Sequence, residues 1–182
     1  NASFQLACIH ALGEALLAAS RELQQAPGRN WRRILKKLPK ACLVGPPGRE
    51  AIGLWEGLEL EESHRHHSHL GAIAPFDVIT VDDPVWQPII ERSLDHWIRC
   101  GPGGWAGWCV PWASMIHTHV GNAAAAELHL ELFDRIFTNE GHGTLHDCRY
   151  SGISLMGRSA LDHPANFIKI MRIKNPAAIH RL

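Results

Sequence analysis

Apolar residues recur along this chain at the three- and four-residue spacing of a helix. Each run is cut off by glycine, proline or asparagine, which restricts the chain to helices joined by turns and loops. Ser3 stands as an N-cap before Phe4, Ala7, Ile9, Leu12, Leu16, Ala19 and Leu23, and Pro27-Gly28 stops that run. Asn30 caps a shorter helix carrying Trp31, Ile34, Leu35 and Leu38, with Arg32, Arg33, Lys36 and Lys37 solvated opposite, until Pro39 ends it. Pro84, behind Asp82 and Asp83, opens a third helix through Ile89, Ile90, Leu94, Trp97 and Ile98 to Gly101. After Gly101-Pro102-Gly103-Gly104, the runs Trp105 to Val120 and Asn122 to Phe137 form a second helical pair, hinged at Gly121-Asn122. Cys42-Leu43-Val44 and Ile52-Gly53-Leu54-Trp55 flank Gly45-Pro46-Pro47-Gly48 and predict one small β-hairpin excursion. The expected class is all-α, built of helical hairpins, and it suits an α-toroid or a helical solenoid.

The 182 residues suffice for one domain with its own core. Within it, 1–40 reads as a helical hairpin, 41–83 as a turn and His-rich loop, 84–137 as helices and 138–182 as a loop-rich tail. Eighteen basic and eighteen acidic side chains cancel, so no global field draws nucleic acid or an anionic membrane, and a neutral partner suits the surface better. The longest apolar stretches fall short of the roughly 20 residues that span a bilayer, so no membrane partner is expected. Cys8, Cys42, Cys100, Cys109 and Cys148 lack CxxC spacing and read as mostly buried thiols. Asn1-Ala2-Ser3 fits a glycosylation triplet, a pattern frequent enough by chance to carry no weight.

The segment from Glu56 to Phe76 has no clean period and holds His64, His66, His67 and His69, which marks it as a long ordered loop. Neutral imidazoles bind zinc, but Arg65 interrupts the cluster and no second ligand pair lies at a known spacing, so a sugar-hydroxyl role is preferred to a metal site and no cofactor is expected. His66 and His69 are expected to face the pocket, Arg65 to fix the loop or pair with Glu62, and His67 to face solvent. Glu56, Glu59, Glu61 and Glu62 read as a solvated acidic edge, and His142, His146, Asp147 and His163 as loop residues. Trp105, Trp108 and Trp112 are at helical spacing, which packs two of the three in the core and leaves Trp105, after the glycines, as the one placed to stack on a sugar. No GxSxG, phosphate-loop, GxGxxG or HExxH pattern occurs.

Ser63-His64-Arg65-His66-His67-Ser68-His69-Leu70 through Pro75 resembles the His-Arg-His-x-Ser-His-Leu-Tyr-x-Leu-Tyr-Pro signature of glycoside hydrolase family 95, the α-L-fucosidase family. Gly104-Trp105-Ala106-Gly107-Trp108-Cys109-Val110-Pro111-Trp112 is similar to that family's Gly-Trp-Ser-x-Ala-Trp stretch, Val120-Gly121-Asn122-Ala123 to its next helix turn, and Ser3 to Ala7 with Ala18-Ala19 to the helix after its general-acid loop. The resemblance implies an (α/α)6 toroid of the six-hairpin glycosidase type, an oligosaccharide or glycan substrate, and hydrolysis of terminal α-L-fucosyl or related galacto-configured residues by inversion. In it a glutamic acid protonates the leaving oxygen and an aspartate-polarised asparagine activates water. The resemblance places His64, Arg65, His66, His69 and Trp105 at the substrate and no catalytic residue within the chain. The acid and the asparagines precede the matched region, and Met171-Arg172-Ile173-Lys174-Asn175 sets Lys174 where the family has its aspartate. A lysine ammonium cannot accept a hydrogen bond from an amide NH2, so the relay fails there. The chain accordingly reads as the C-terminal part of a catalytic domain, with a truncation or shifted frame after about Met171. An extracellular or periplasmic setting is compatible with the intact protein. The alternatives are a non-catalytic carbohydrate-binding helical module and a metal-binding protein built on the His loop. Half a toroid also exposes helix faces, so association or poor solubility is expected.

Overall fold

The computed structural model describes residues 1–28 and 30–146; Lys174, Met171, His163, Cys148 and Asp147, all named above, lie outside the described residues. Among the described residues there are five α-helices, α1 (Ser3–Glu22), α2 (Trp31–Lys37), α3 (Gln87–Cys100), α4 (Cys109–His119) and α5 (Ala123–Ile136), with a 3-10 turn at Ser68–Leu70. Two short strands, β1 (Leu43–Val44) and β2 (Ala51–Ile52), pair antiparallel with Leu43 opposite Ile52. The chain is thus mostly helical with one small β-hairpin, as its periodicity predicts. α1 packs on α2 and on the 3-10 turn, α3 on β2, and α4 and α5 form the most extensively packed pair.

Three helix starts differ from expectation. Ser3 lies inside α1 rather than capping it. Its Oγ donates to the Gly53 carbonyl at 2.6 Å and accepts from the Cys42 N–H at 3.0 Å, joining the helix to the β-hairpin. α3 begins at Gln87 and not at Pro84, because the Asp83 carbonyl accepts from both Trp86 and Gln87 N–H and holds the preceding residues in turns. α4 begins at Cys109, four residues after Trp105. The Trp105 N–H is taken by the Pro102 carbonyl, and the Gly107 N–H by His146. Gly107 has no room for a side chain, since a Cβ there would lie 2.1 Å from the Leu145 carbonyl oxygen.

The core joins Ile73, Ile79, Ile90, Trp97, Trp105, Val110, Ile116, Leu132 and Phe137. Of the described cysteines, Cys42 and Cys109 are buried and Cys8 and Cys100 half-buried, so the expectation of mostly buried thiols holds for two of four. The expectation that no apolar stretch reaches membrane-spanning length is corrected by α1, which by length and composition is apolar enough to cross a bilayer, with 28% of that window buried. α1 carries Gln5, His10 and Glu14 among its apolar residues, with Ser20-Arg21-Glu22 at its end. Its inner side is tied down by Ser3 and by His10, whose Nε2 meets the Leu38 carbonyl at 3.0 Å. Phe4, Ile9, Leu12 and Leu16 of α1, and Leu23 just after it, are exposed.

Removing the Ser3 hydroxyl leaves a buried donor and a buried acceptor without their partner, at a cost of about 1–3 kcal/mol. Ser3→Ala is therefore expected to lower the urea midpoint clearly with an unchanged m-value; a midpoint within error of the parent protein contradicts that role for the hydroxyl.

Candidate functional site

The His-rich loop is held by side chains at its start, middle and partner segment. Ser63 Oγ donates to the Gly101 carbonyl at 2.6 Å and accepts from Gly104 N–H at 2.8 Å, fastening the start of the loop to the glycine-rich turn. Close approach of these two segments needs Gly104, whose Cβ would lie 2.7 Å from the Ser63 carbonyl oxygen. Cys109 Sγ donates to the Arg65 carbonyl at 2.7 Å and accepts from Ala106 N–H at 3.3 Å. Burial pushes the Cys109 thiol up to about 11, so at neutral pH it remains an S–H donor and a poor nucleophile.

His67 is the polar centre of this arrangement and is fully buried at 0% exposure, which corrects the expectation that it faces solvent. The Trp97 indole N–H can only donate, and it lies 3.2 Å from His67 Nδ1. Nδ1 therefore accepts, and the ring proton sits on Nε2, which donates to the Cys109 carbonyl at 3.0 Å. The ring stands edge-on to Trp97, Trp105 and Trp112 at centroid distances of 5.0, 4.6 and 5.6 Å. Burial among these indoles holds His67 at about 3, so it is a neutral imidazole across the physiological range.

Two further histidines join from the other hairpin. Trp97 stacks on Trp105 at 5.2 Å, Trp105 on His129 at 5.8 Å and His129 on His117 at 5.0 Å. His117 is held down at about 4 by burial first and by His129 second, and burial also lowers His129. Neither was selected from the sequence, although both lie on the buried stripes of their helices, four residues after Ala113 and Ala125.

The five residues expected at a substrate divide between surface and core. His64 and Arg65 are exposed, and His66 is half-buried beside them. His69 is 2% exposed and Trp105 5% exposed; both are corrected from surface positions to core positions, because the 3-10 turn carries His69 inward and the turn at Pro102 tucks Trp105 against Trp97. Trp112 is half-buried and donates its indole N–H to the Ala74 carbonyl at 2.7 Å. The count of two core tryptophans in three is right, but the exposed one is Trp108, at 39%. It meets His66 edge-on at 4.9 Å and Trp112 at 5.6 Å. His64 lies 5.1 Å from His66. Burial, then the charges of His64 and Arg65, lowers His66. The Nδ1 atoms of His66, His69 and His117 are buried without a hydrogen-bond partner among the described residues.

Arg65 forms no ion pair among the described residues, so the expected partnership with Glu62 is absent there. Among the described residues Arg99 pairs with Asp95 and Arg135 with Glu131, while the His96 and His142 rings lie 3.7 and 3.4 Å from the carboxylates of Glu59 and Asp134. No three His, Cys, Asp or Glu side chains among the described residues are grouped as metal ligands would be. Comparison of the chain with protein-family models and with curated proteins yields no match in either case.

Proposed function

We propose that this chain is the sugar-recognising part of an α-L-fucosidase-like glycoside hydrolase whose helical hairpins belong to an (α/α)6 toroid. The reading rests on the similarity of residues 63–75 and 104–112 to that family's motifs. The observation that carries it is the anchoring of the loop. Ser63, His67 and Cys109 pin its backbone, leaving His64, Arg65 and His66 at the surface. Rigid placement of imidazoles and one guanidinium supplies hydrogen-bonding groups at fixed positions, which is what recognition of a neutral, hydroxyl-rich monosaccharide demands. Trp105 supports this surface from beneath by packing edge-on to His67, and His69 is buried below it.

Inverting hydrolysis needs an acid on one side of the sugar and an activated water on the other. The family residues for both roles have no counterpart in the matched motifs, and Lys174 stands at the aspartate position. The function proposed for the chain as given is therefore binding of a fucosyl or related galacto-configured residue without turnover. A non-catalytic carbohydrate-binding module is the second reading, favoured by the lack of any carboxylate paired with His64, Arg65 or His66 among the described residues.

Weak, saturable binding of L-fucose by nuclear magnetic resonance and no release of aglycone from an aryl α-L-fucoside are expected for the 182-residue chain. Robust turnover overturns the assignment of missing catalytic groups. Tight zinc binding by calorimetry with no response to L-fucose overturns the sugar reading in favour of a metal-binding loop.

A further inference from the structure

We infer that Trp108, and not Trp105, is the face on which a bound pyranose ring stacks, with its hydroxyls turned toward His64, Arg65 and His66. The inference rests on the sugar reading above and names the residue that supplies the apolar half of the site.

Four observations converge on Trp108. It stands immediately before α4 and next to Cys109, whose carbonyl and thiol bond the His67 ring and the Arg65 carbonyl, so it sits beside the bonds that hold the His-rich loop. Its exposure of 39% leaves ring surface open, whereas Trp105 is covered by Trp97 and His129. Its indole N–H has no partner among the described residues, whereas Trp97 and Trp112 spend theirs on His67 Nδ1 and the Ala74 carbonyl. Finally, His66 meets it edge-on at 4.9 Å, which steadies the indole against the loop and sets a hydrogen-bonding ring beside an aromatic face.

The chemistry of the surroundings selects the ligand. A quaternary ammonium would also favour an indole face, but it would be repelled by the Arg65 guanidinium, which no carboxylate offsets among the described residues. A polyanion would want several cations, and Arg65 is the sole permanent one in the 63–69 loop. A neutral pyranose offers a face of C–H groups for the indole and a rim of hydroxyls for the imidazoles, the guanidinium and the unspent indole N–H.

The test is titration of the full 182-residue chain with L-fucose, followed by saturation-transfer nuclear magnetic resonance, for the parent protein and for Trp108→Ala, Trp108→Phe and Trp55→Ala. Trp55 is a second exposed indole, in the turn after β2, and serves as the control. Trp108→Ala is expected to raise the Kd for L-fucose about tenfold, the scale of one aromatic contact, and Trp108→Phe only about two- to threefold. Trp55→Ala should leave it unchanged. In the parent protein, protons on one face of the sugar should saturate most strongly. An unchanged Kd for Trp108→Ala, or equal saturation of both sugar faces, overturns the role of Trp108 and leaves the sugar reading standing. Absence of saturable L-fucose binding in the parent protein overturns both. Should the alanine variant fail to fold, the phenylalanine variant and the saturation map of the parent protein decide the question.

Discussion

His67→Ala is expected to lower the free energy of unfolding by about 4 kcal/mol, the largest effect anticipated from a single substitution in this protein. Two costs add. Removing a ring enclosed by Trp97, Trp105 and Trp112 opens a cavity where neighbouring indoles cannot readily collapse, and truncation of a buried aromatic ring to alanine typically costs about 3–5 kcal/mol. The Trp97 N–H and the Cys109 carbonyl also lose their partner, each at a cost of about 1–3 kcal/mol if no water replaces it. Part of the second cost overlaps the first, so the total falls below their full sum. Against a total stability of about 5–15 kcal/mol, such a change removes between about a quarter and most of the margin. His67→Gln, whose amide offers both a donor and an acceptor, should recover part of the loss. Urea denaturation of the three proteins is the measurement, and a loss below about 1 kcal/mol for the alanine variant would show that His67 is not the keystone of the loop.

Acidification is expected to unfold the protein well above the pH at which its carboxylates protonate. In the folded chain burial holds His67 and His69 at about 3 and His117 at about 4, against an ordinary value of 6.5 once the chain unfolds. Above pH 6.5 neither state binds these protons, and stability does not depend on them. Below it the unfolded chain takes up protons that the folded chain refuses, so stability falls steadily until the folded values are reached. At pH 5 each ring contributes a loss of about 2 kcal/mol, and the three together about 6 kcal/mol, comparable with the stability of the whole domain. His129, also lowered by burial, acts in the same direction. Urea midpoints measured from pH 8 down to pH 4 should be flat above about 7 and then fall steeply, with a slope approaching three protons. Constant stability between pH 7 and pH 5 would mean that these imidazoles are not sealed from water.

Much of the helical architecture was legible because helical periodicity is local. The apolar spacing in 3–23, 31–38, 89–98 and 122–137 locates α1, α2, α3 and α5, and the glycine-proline turn at 45–48 locates the β-hairpin. The candidate site was less legible. The loop at 63–69 stands out by its histidines, but which of them turn inward depends on Trp97 and Cys109, 30 and 42 residues away. Helical spacing points Trp105 to the core, where it lies, and its position after the glycines is what suggested a surface role; the chain there is not yet helical. With the chain diverted at Pro102 and at Gly107, Trp105 and Trp108 exchange their expected places. The signal that was available for His117 and His129 was their position on an apolar stripe.

What the residue order alone determined is the set of helices, their hairpin pairing in 1–40 and 105–137, and the presence of an irregular loop dense in imidazoles. These follow from interactions within a few residues and survive any arrangement of the pieces. The inward turn of His67 and His69, the burial of Trp105 and the outward position of Trp108 were decided only when distant segments met. A buried imidazole must find both its donor and its acceptor, and here Trp97 and Cys109 satisfy His67 only after α3 and α4 have closed on the loop.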